Sequence, residues 1–244
     1  MGSNMREVVA GPHCEPLADG LLMEPVAAVS SLAFVVAGAV IAVGYLRRAG
    51  RGRGAVPPCT ASDRVAPLTY PALVAGIGVG SFVQHGPDPA YADLVHDLPL
   101  LATLAFVAAD SLAALTRRRR MWWWWAAPTI ALVPLIVAAP RAGDLAQVAV
   151  AVVAVASTVL RARARPAQRR RIGWAVALLA VGGLIGTLTR AGGPLCEPES
   201  LWQGHAFWHV LAASALVILA PVVERQRGAV PGAATHAAGP RRRD

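Results

Sequence analysis

The sequence predicts an all-α membrane protein of seven transmembrane helices, with the amino terminus outside and the carboxyl terminus in the cytoplasm. Three observations predict it. Hydrophobic residues make up 55% of the 244 and charged residues 15%, with mean hydropathy +0.49, a balance suited to lipid rather than water. Seven uninterrupted apolar runs are each long enough, or nearly so, to cross about 30 Å of hydrocarbon. Arg residues cluster in alternate gaps between those runs, as short cytoplasmic loops require.

The chain begins with an arm, residues 1–23, that is polar and mildly acidic from Glu7, Glu15 and Asp19 against Arg6. It has no basic start leading into an apolar core and so does not read as a cleavable signal. The apolar runs follow at Glu24 to Leu46, Ala66 to Gln84, His96 to Leu115, Met121 to Ala139, Gly143 to Leu160, Ile172 to Thr189 and Leu201 to Val223, giving a transmembrane domain over 24–223. None alternates polar with apolar residues, a pattern that does not suit a membrane β-barrel. Trp122 to Trp125 open the fourth run beside an Arg cluster and suit the headgroup layer. The tail, 224–244, is rich in Gly, Ala and Pro from Gly228 onward and is expected to be disordered.

Orientation follows from the loops. Arg47, Arg48, Arg51, Arg53 and Arg64 follow the first run, Arg117 to Arg120 the third, Arg161 to Arg171 (six Arg) the fifth, and Arg225, Arg227 and Arg241 to Arg243 the seventh. The intervening gaps hold one Arg each at most, Arg141 and Arg190. Odd-numbered helices therefore end inside. The formal charge of +9 is explained by this topology, so nucleic acid is not an expected partner. All 23 basic residues are Arg, and without a Lys amine no Schiff base to retinal or pyridoxal phosphate can form.

His205-Ala-Phe-Trp-His209 carries the chemistry. Residues four apart on a helix share one face, and two imidazoles about 6 Å apart along the axis can grip one metal ion. The plain alternative is a His pair resting at the membrane surface. A catalytic zinc takes three protein ligands and leaves a fourth position for water. The topology brings Ser81 and His85, at the end of the second run, and His96 and Asp97, at the start of the third, to the same outer layer as His205 and His209. Because ionisable residues in a membrane are costly and usually functional, a zinc site of His85, His205 and His209 is the expectation. His85 is preferred because Ser81 lies one turn before it on the same face; His96 is the rival third ligand. Asp97 is the candidate general acid-base and Ser81 the candidate hydrogen-bond donor to water or a developing oxyanion. Their ordinary roles would be a charge near a helix start and a hydroxyl bonded to its own backbone. His13 and His236 receive no role.

Ser81-x3-His85, then His96-Asp97-Leu98-Pro99, then His205-x3-His209 on seven helices resembles the CREST superfamily of membrane hydrolases, and most closely the alkaline ceramidase-like proteins within it. The resemblance implies a zinc on three His, with Asp97 and Ser81 as catalytic residues beside its water, and hydrolysis of an amide or ester bond in a membrane lipid. Cys14-Glu15-Pro16 with Glu24 and Ser30 resembles the ceramidase amino terminus, which implies a calcium site using Glu15 and Glu24. Pro12, His13 and Leu17 stand where that family has an Asp, a Trp and an Asn, leaving few of the six to eight oxygens calcium prefers. Cys14 and Cys196 both fall on the outer side, each in a Cys-Glu-Pro sequence, so a disulfide between them is permitted by compartment, and it resembles a ceramidase bridge. Cys59 lies in an inner loop.

The functional expectation is a zinc-dependent amidohydrolase of ceramide-like lipids in a bacterial inner membrane, with its active site toward the extracytoplasmic face. The alternatives are a phospholipid ester hydrolase and a seven-helix receptor or transporter with a structural metal.

Overall fold

A computed structural model describes residues 10–51 and 68–224. The tail expected to be disordered, and the inner loop holding Arg53, Cys59 and Arg64, lie outside the described residues. Seven α-helices account for the described chain: α1 Pro25–Arg51, α2 Thr69–His85, α3 Ala92–Thr116, α4 Trp123–Ala138, α5 Pro140–Ala164, α6 Pro166–Leu188 and α7 Gly204–Glu224. Each apolar run becomes one helix. Five of them, α1, α3, α5, α6 and α7, are long and apolar enough to cross a membrane. The other two are shorter, 17 residues in α2 and 16 in α4, or about 25 Å at 1.5 Å per residue. The outward faces of the long helices are apolar: Val36 of α1 and Val152 of α5 are each 61% exposed, and Val148 of α5 60%. Such surface would be a liability in water and is what lipid requires, so the architecture is that of an integral membrane protein.

The helices close into a ring in which α1 packs on α2 and α7, α2 on α3, α3 on α5, α5 on α6 and α6 on α7; α4 lies against α3 and α5. The best-buried helix is α3. Its interior holds Pro99, which has no N–H for the carbonyl of Val95 four residues back. That freed carbonyl faces Gly80 of α2, where any Cβ would overlap it, so a glycine there is what lets α2 and α3 meet. The two chain ends of these helices that matter below, His85 of α2 and His96-Asp97 of α3, are thereby brought to one end of the ring.

One expectation needs correction. The Arg-rich stretch between the fifth and sixth runs was expected to be a loop from residue 161 to 171. It is helix nearly throughout, with Arg165 alone between α5 and α6. The reason is local: Arg, Ala and Gln are good helix formers, and Pro140 and Pro166 stand in the first turn of α5 and α6, where a missing N–H costs nothing. Arg161 therefore points into the protein, where it is 1% exposed.

Its partner is Asp110 of α3, equally buried. Arg161 donates from one guanidinium nitrogen to Asp110 Oδ2 at 2.6 Å, from Nε to Gln168 at 2.8 Å and from its other nitrogen to the Val222 carbonyl at 2.7 Å. Arg120 donates to Asp110 Oδ1 at 2.6 Å and lies 3.9 Å above the Phe106 ring. One carboxylate and two guanidiniums thus tie α3, α5, α6 and α7 together at the end opposite the histidines. Breaking a buried ion pair by removing one partner costs on the order of 3–5 kcal/mol. Asp110→Ala is expected to lower the thermal unfolding midpoint sharply in detergent, whereas Asp93→Ala, on the exposed first turn of α3, should leave it nearly unchanged.

Candidate metal centre

The arm builds one wall of the site. Residues 11–15 form a tight turn, with Cys14 N–H on the Gly11 carbonyl at 3.0 Å and Gly11 N–H on the Glu15 carbonyl at 2.8 Å. Cys14 adopts a left-handed φ of 68° in this turn and is joined to Cys196 by a disulfide, as the shared compartment allowed. The Ala191 N–H adds a bond to the Pro12 carbonyl at 3.2 Å. The far end of the arm is sewn to α2 by Met23 N–H on the Gly86 carbonyl and Glu24 N–H on the His85 carbonyl, at 3.0 and 2.8 Å.

Glu15 and Glu24, the pair expected to hold calcium, have other work. Both oxygens of Glu15 accept from the first N–H groups of α1, Val26 at 2.6 Å and Ala27 at 2.9 Å, an acidic cap on a helix start. Burial pushes the Glu15 carboxyl up, and those two backbone bonds oppose it. Glu24 Oε2 accepts from Nδ1 of His85 at 2.7 Å and Nδ1 of His13 at 2.9 Å. Burial disfavours its charge, but the two imidazoles outweigh burial and hold its carboxyl at about 2. What remains is one buried oxygen without a partner, Glu24 Oε1, in a nook that exists because residue 11 is Gly; a Cβ there would overlap that oxygen. One free oxygen among imidazoles does not suit calcium.

The histidines converge. His85 ends α2, and His205 and His209 lie in the first two turns of α7. Their ring centroids are 5.0 Å apart for His85 and His205, 4.4 Å for His205 and His209, and 5.4 Å for His85 and His209. His85 Nε2 lies 3.2 Å from His205 Nε2. Two nitrogens each at about 2.0–2.1 Å from a tetrahedral zinc stand about 3.3 Å apart, so this spacing is what a shared ion requires. The tautomers agree. A carboxylate only accepts, so His85 carries its hydrogen on Nδ1 and leaves the Nε2 lone pair free. Ser30 spends its hydroxyl hydrogen on the Ala27 carbonyl at 2.9 Å, so it accepts from His209 Nδ1 at 2.9 Å and leaves His209 Nε2 free as well. That nitrogen faces the Ser81 hydroxyl at 3.3 Å. Carboxylate and hydroxyl partners behind imidazoles are the usual means of fixing metal ligands.

The structure also brings in a residue given no role by the sequence. His13 stacks at 3.9 Å on His205 and 4.8 Å from His85, and the potential ligand atoms of His13, His85 and His205 all lie within 4.8 Å of one another. Its signal was available in Cys14: a bridge to Cys196, nine residues before His205, carries the neighbouring His13 toward the start of α7. Asp97 and His96 are not drawn into the cluster by any hydrogen bond. They pair with each other, His96 Nδ1 to Asp97 Oδ1 at 2.8 Å, although successive helical residues point about 100° apart. A cavity of about 300 Å³ reaches the site from the same end, lined by His13, Glu24 and His85 and, at its rim, by Gln84, Asp88 and Asp93.

No protein-family model and no curated protein sequence matches the chain. The described residues thus present a cluster of imidazoles able to hold a metal ion, with nitrogen donors that suit zinc. Loss of the carboxylate behind metal-binding His typically weakens binding about tenfold to a hundredfold. Glu24→Ala should show that loss for zinc in a chelator competition, and an unchanged affinity would detach Glu24 from the site.

Proposed function

We propose that the protein is a zinc-dependent membrane hydrolase that cleaves the amide bond of ceramide-like lipids, with the ion held by His85, His205 and His209. The observation that carries this reading is the 3.2 Å approach of His85 Nε2 to His205 Nε2 with Glu24 behind His85. When bound, zinc lowers the pKa of water toward 7 and polarises a carbonyl. The remaining chemistry belongs to the chain. Asp97 takes a proton from the attacking water and delivers it to the amide nitrogen as the C–N bond breaks, releasing a fatty acid and an amine. Its present partner is His96, at 2.8 Å. The Ser81 hydroxyl, already aimed at the cluster, donates to the carbonyl oxygen as charge builds there. The family resemblance of the Ser81, His85, Asp97, His205 and His209 set supports the same roles.

Among the described residues, the cluster's end of the ring carries Arg141 and Arg190, while Arg47, Arg48, Arg117 to Arg120 and Arg161 to Arg171 lie at the other. By the positive-inside rule the active site faces the extracytoplasmic side, and the Arg-only, Ala-rich composition supports a bacterial inner membrane. Ester hydrolysis in phospholipids uses the same groups. A second reading, a receptor or transporter with a structural metal, draws on one observation: His13 joins His85 and His205 within mutual ligand reach, with the His209 ring beside them, and a structural zinc takes four protein ligands.

Purified protein is expected to contain one zinc per chain and to hydrolyse a fluorescent ceramide. Chelation should abolish turnover and added zinc restore it. Asp97→Asn should lower kcat by about 10²–10⁴-fold while zinc content stays constant. Turnover confined to a phospholipid panel would replace amide by ester specificity. Stoichiometric zinc with no turnover on any amide or ester lipid would leave the structural-metal reading.

A further inference from the structure

Four imidazoles meet at this site, and they are mounted differently. His85, His205 and His209 ride on α2 and α7, whose positions are set by helix packing. His13 is mounted on the turn of residues 11–15, outside any helix, and that turn is fixed by the disulfide to Cys196 and the bond from Ala191. His13 is nonetheless oriented as a ligand. Its Nδ1 donates to the same Glu24 oxygen that holds His85, which leaves its Nε2 lone pair free, and its ring lies 3.9 Å from that of His205.

The cavity at this end separates the four further. Its lining includes His13 and His85 but neither His205 nor His209. His13 and His85 therefore face this open space, which His205 and His209 do not line. A tetrahedral ion with three imidazoles keeps a position for water, and with four it does not. Glu24 adds an independent sign that the arrangement is built for a ligand: it is buried at 5% exposure, shared by His13 and His85, and its Oε1 has no partner.

Resting on the zinc reading above, we infer that His13 is a fourth, displaceable ligand of the metal: the arm closes the site when His13 is bound and opens a coordination position when it leaves. The Cys14–Cys196 disulfide keeps His13 within reach. The resting protein is accordingly closed to small anions, and the arm must withdraw before water or a lipid carbonyl can enter.

The test is spectroscopic and needs no substrate. Full-length protein in detergent is loaded with Co²⁺ in place of zinc, and its visible ligand-field absorption is recorded with and without azide. Wild type is expected to give an intense four-coordinate spectrum that azide leaves unchanged. His13→Ala and His13→Gln should retain one Co²⁺ per chain but give an altered spectrum that azide titrates. The Cys14→Ser, Cys196→Ser double variant, with His13 intact but untied, should give a mixture of the two forms. Spectra of both His13 variants identical to wild type, with the same azide response, would overturn the role of His13. A double variant identical to wild type would overturn the part given to the disulfide. If wild type binds no Co²⁺ or zinc at all, the metal reading itself fails and the inference with it; that result differs from an ion bound unchanged when His13 is removed.

Discussion

A single carboxylate oxygen, Oε2 of Glu24, accepts from two imidazoles at once, and the site depends on that sharing. A buried carboxylate is unfavourable unless it is paired and hydrogen-bonded. Here the pairing adds a side-chain link between the arm, through His13, and the end of α2, through His85, beside the backbone bonds that Met23 and Glu24 make to Gly86 and His85. The same bonds decide which nitrogen of each ring carries hydrogen, and so which is free to bind a metal. Geometry and chemistry are set by one contact.

Around it the protein separates its polar chemistry into two layers. At one end are the imidazoles, Glu24 and the Ser30 and Ser81 hydroxyls. At the other, Asp110 is paired with Arg120 and Arg161, and Arg161 also donates to the Gln168 side chain and the Val222 carbonyl. Between the two layers the interior is apolar, with Phe34, Ile41, Val74, Ile77 and Ala212 among its buried residues. In hydrocarbon each polar group must find its partner within the protein; both layers answer that demand by bridging helices, with Glu24 Oε1 left over at the histidine end. The ion network fixes the ring mechanically, so the histidine end can carry an arm mounted on a turn.

Much of this was legible in the sequence. Apolar runs give all seven helices because length and hydropathy are local properties, and the order of Arg clusters puts Ser81, His85, His205 and His209 at one end independently of any contact. The Arg161 to Arg171 stretch was misread because charge argued for a loop while helix propensity and Pro166 argued for helix. Asp110 carried a readable signal, a carboxylate within an apolar run, which calls for a buried cation; which Arg would answer depended on the packing of α3 against α5. His13 was the least legible. A residue in an arm without periodicity has no face to assign, and only the Cys14 cross-link, a contact across 182 residues, tells where it goes. Glu15 was read as a calcium ligand by resemblance, whereas its neighbours in space are the bare N–H groups of Val26 and Ala27.

The spacing of that cross-link also sets an order of manufacture. Cys14 leaves the ribosome first and Cys196 after six helices have been made, so during synthesis the arm has no partner to lock onto. His205 and His209 arrive later still. The cluster therefore cannot close before the seventh helix is made, and a nascent chain that has not yet inserted that helix holds only the first half of the grip.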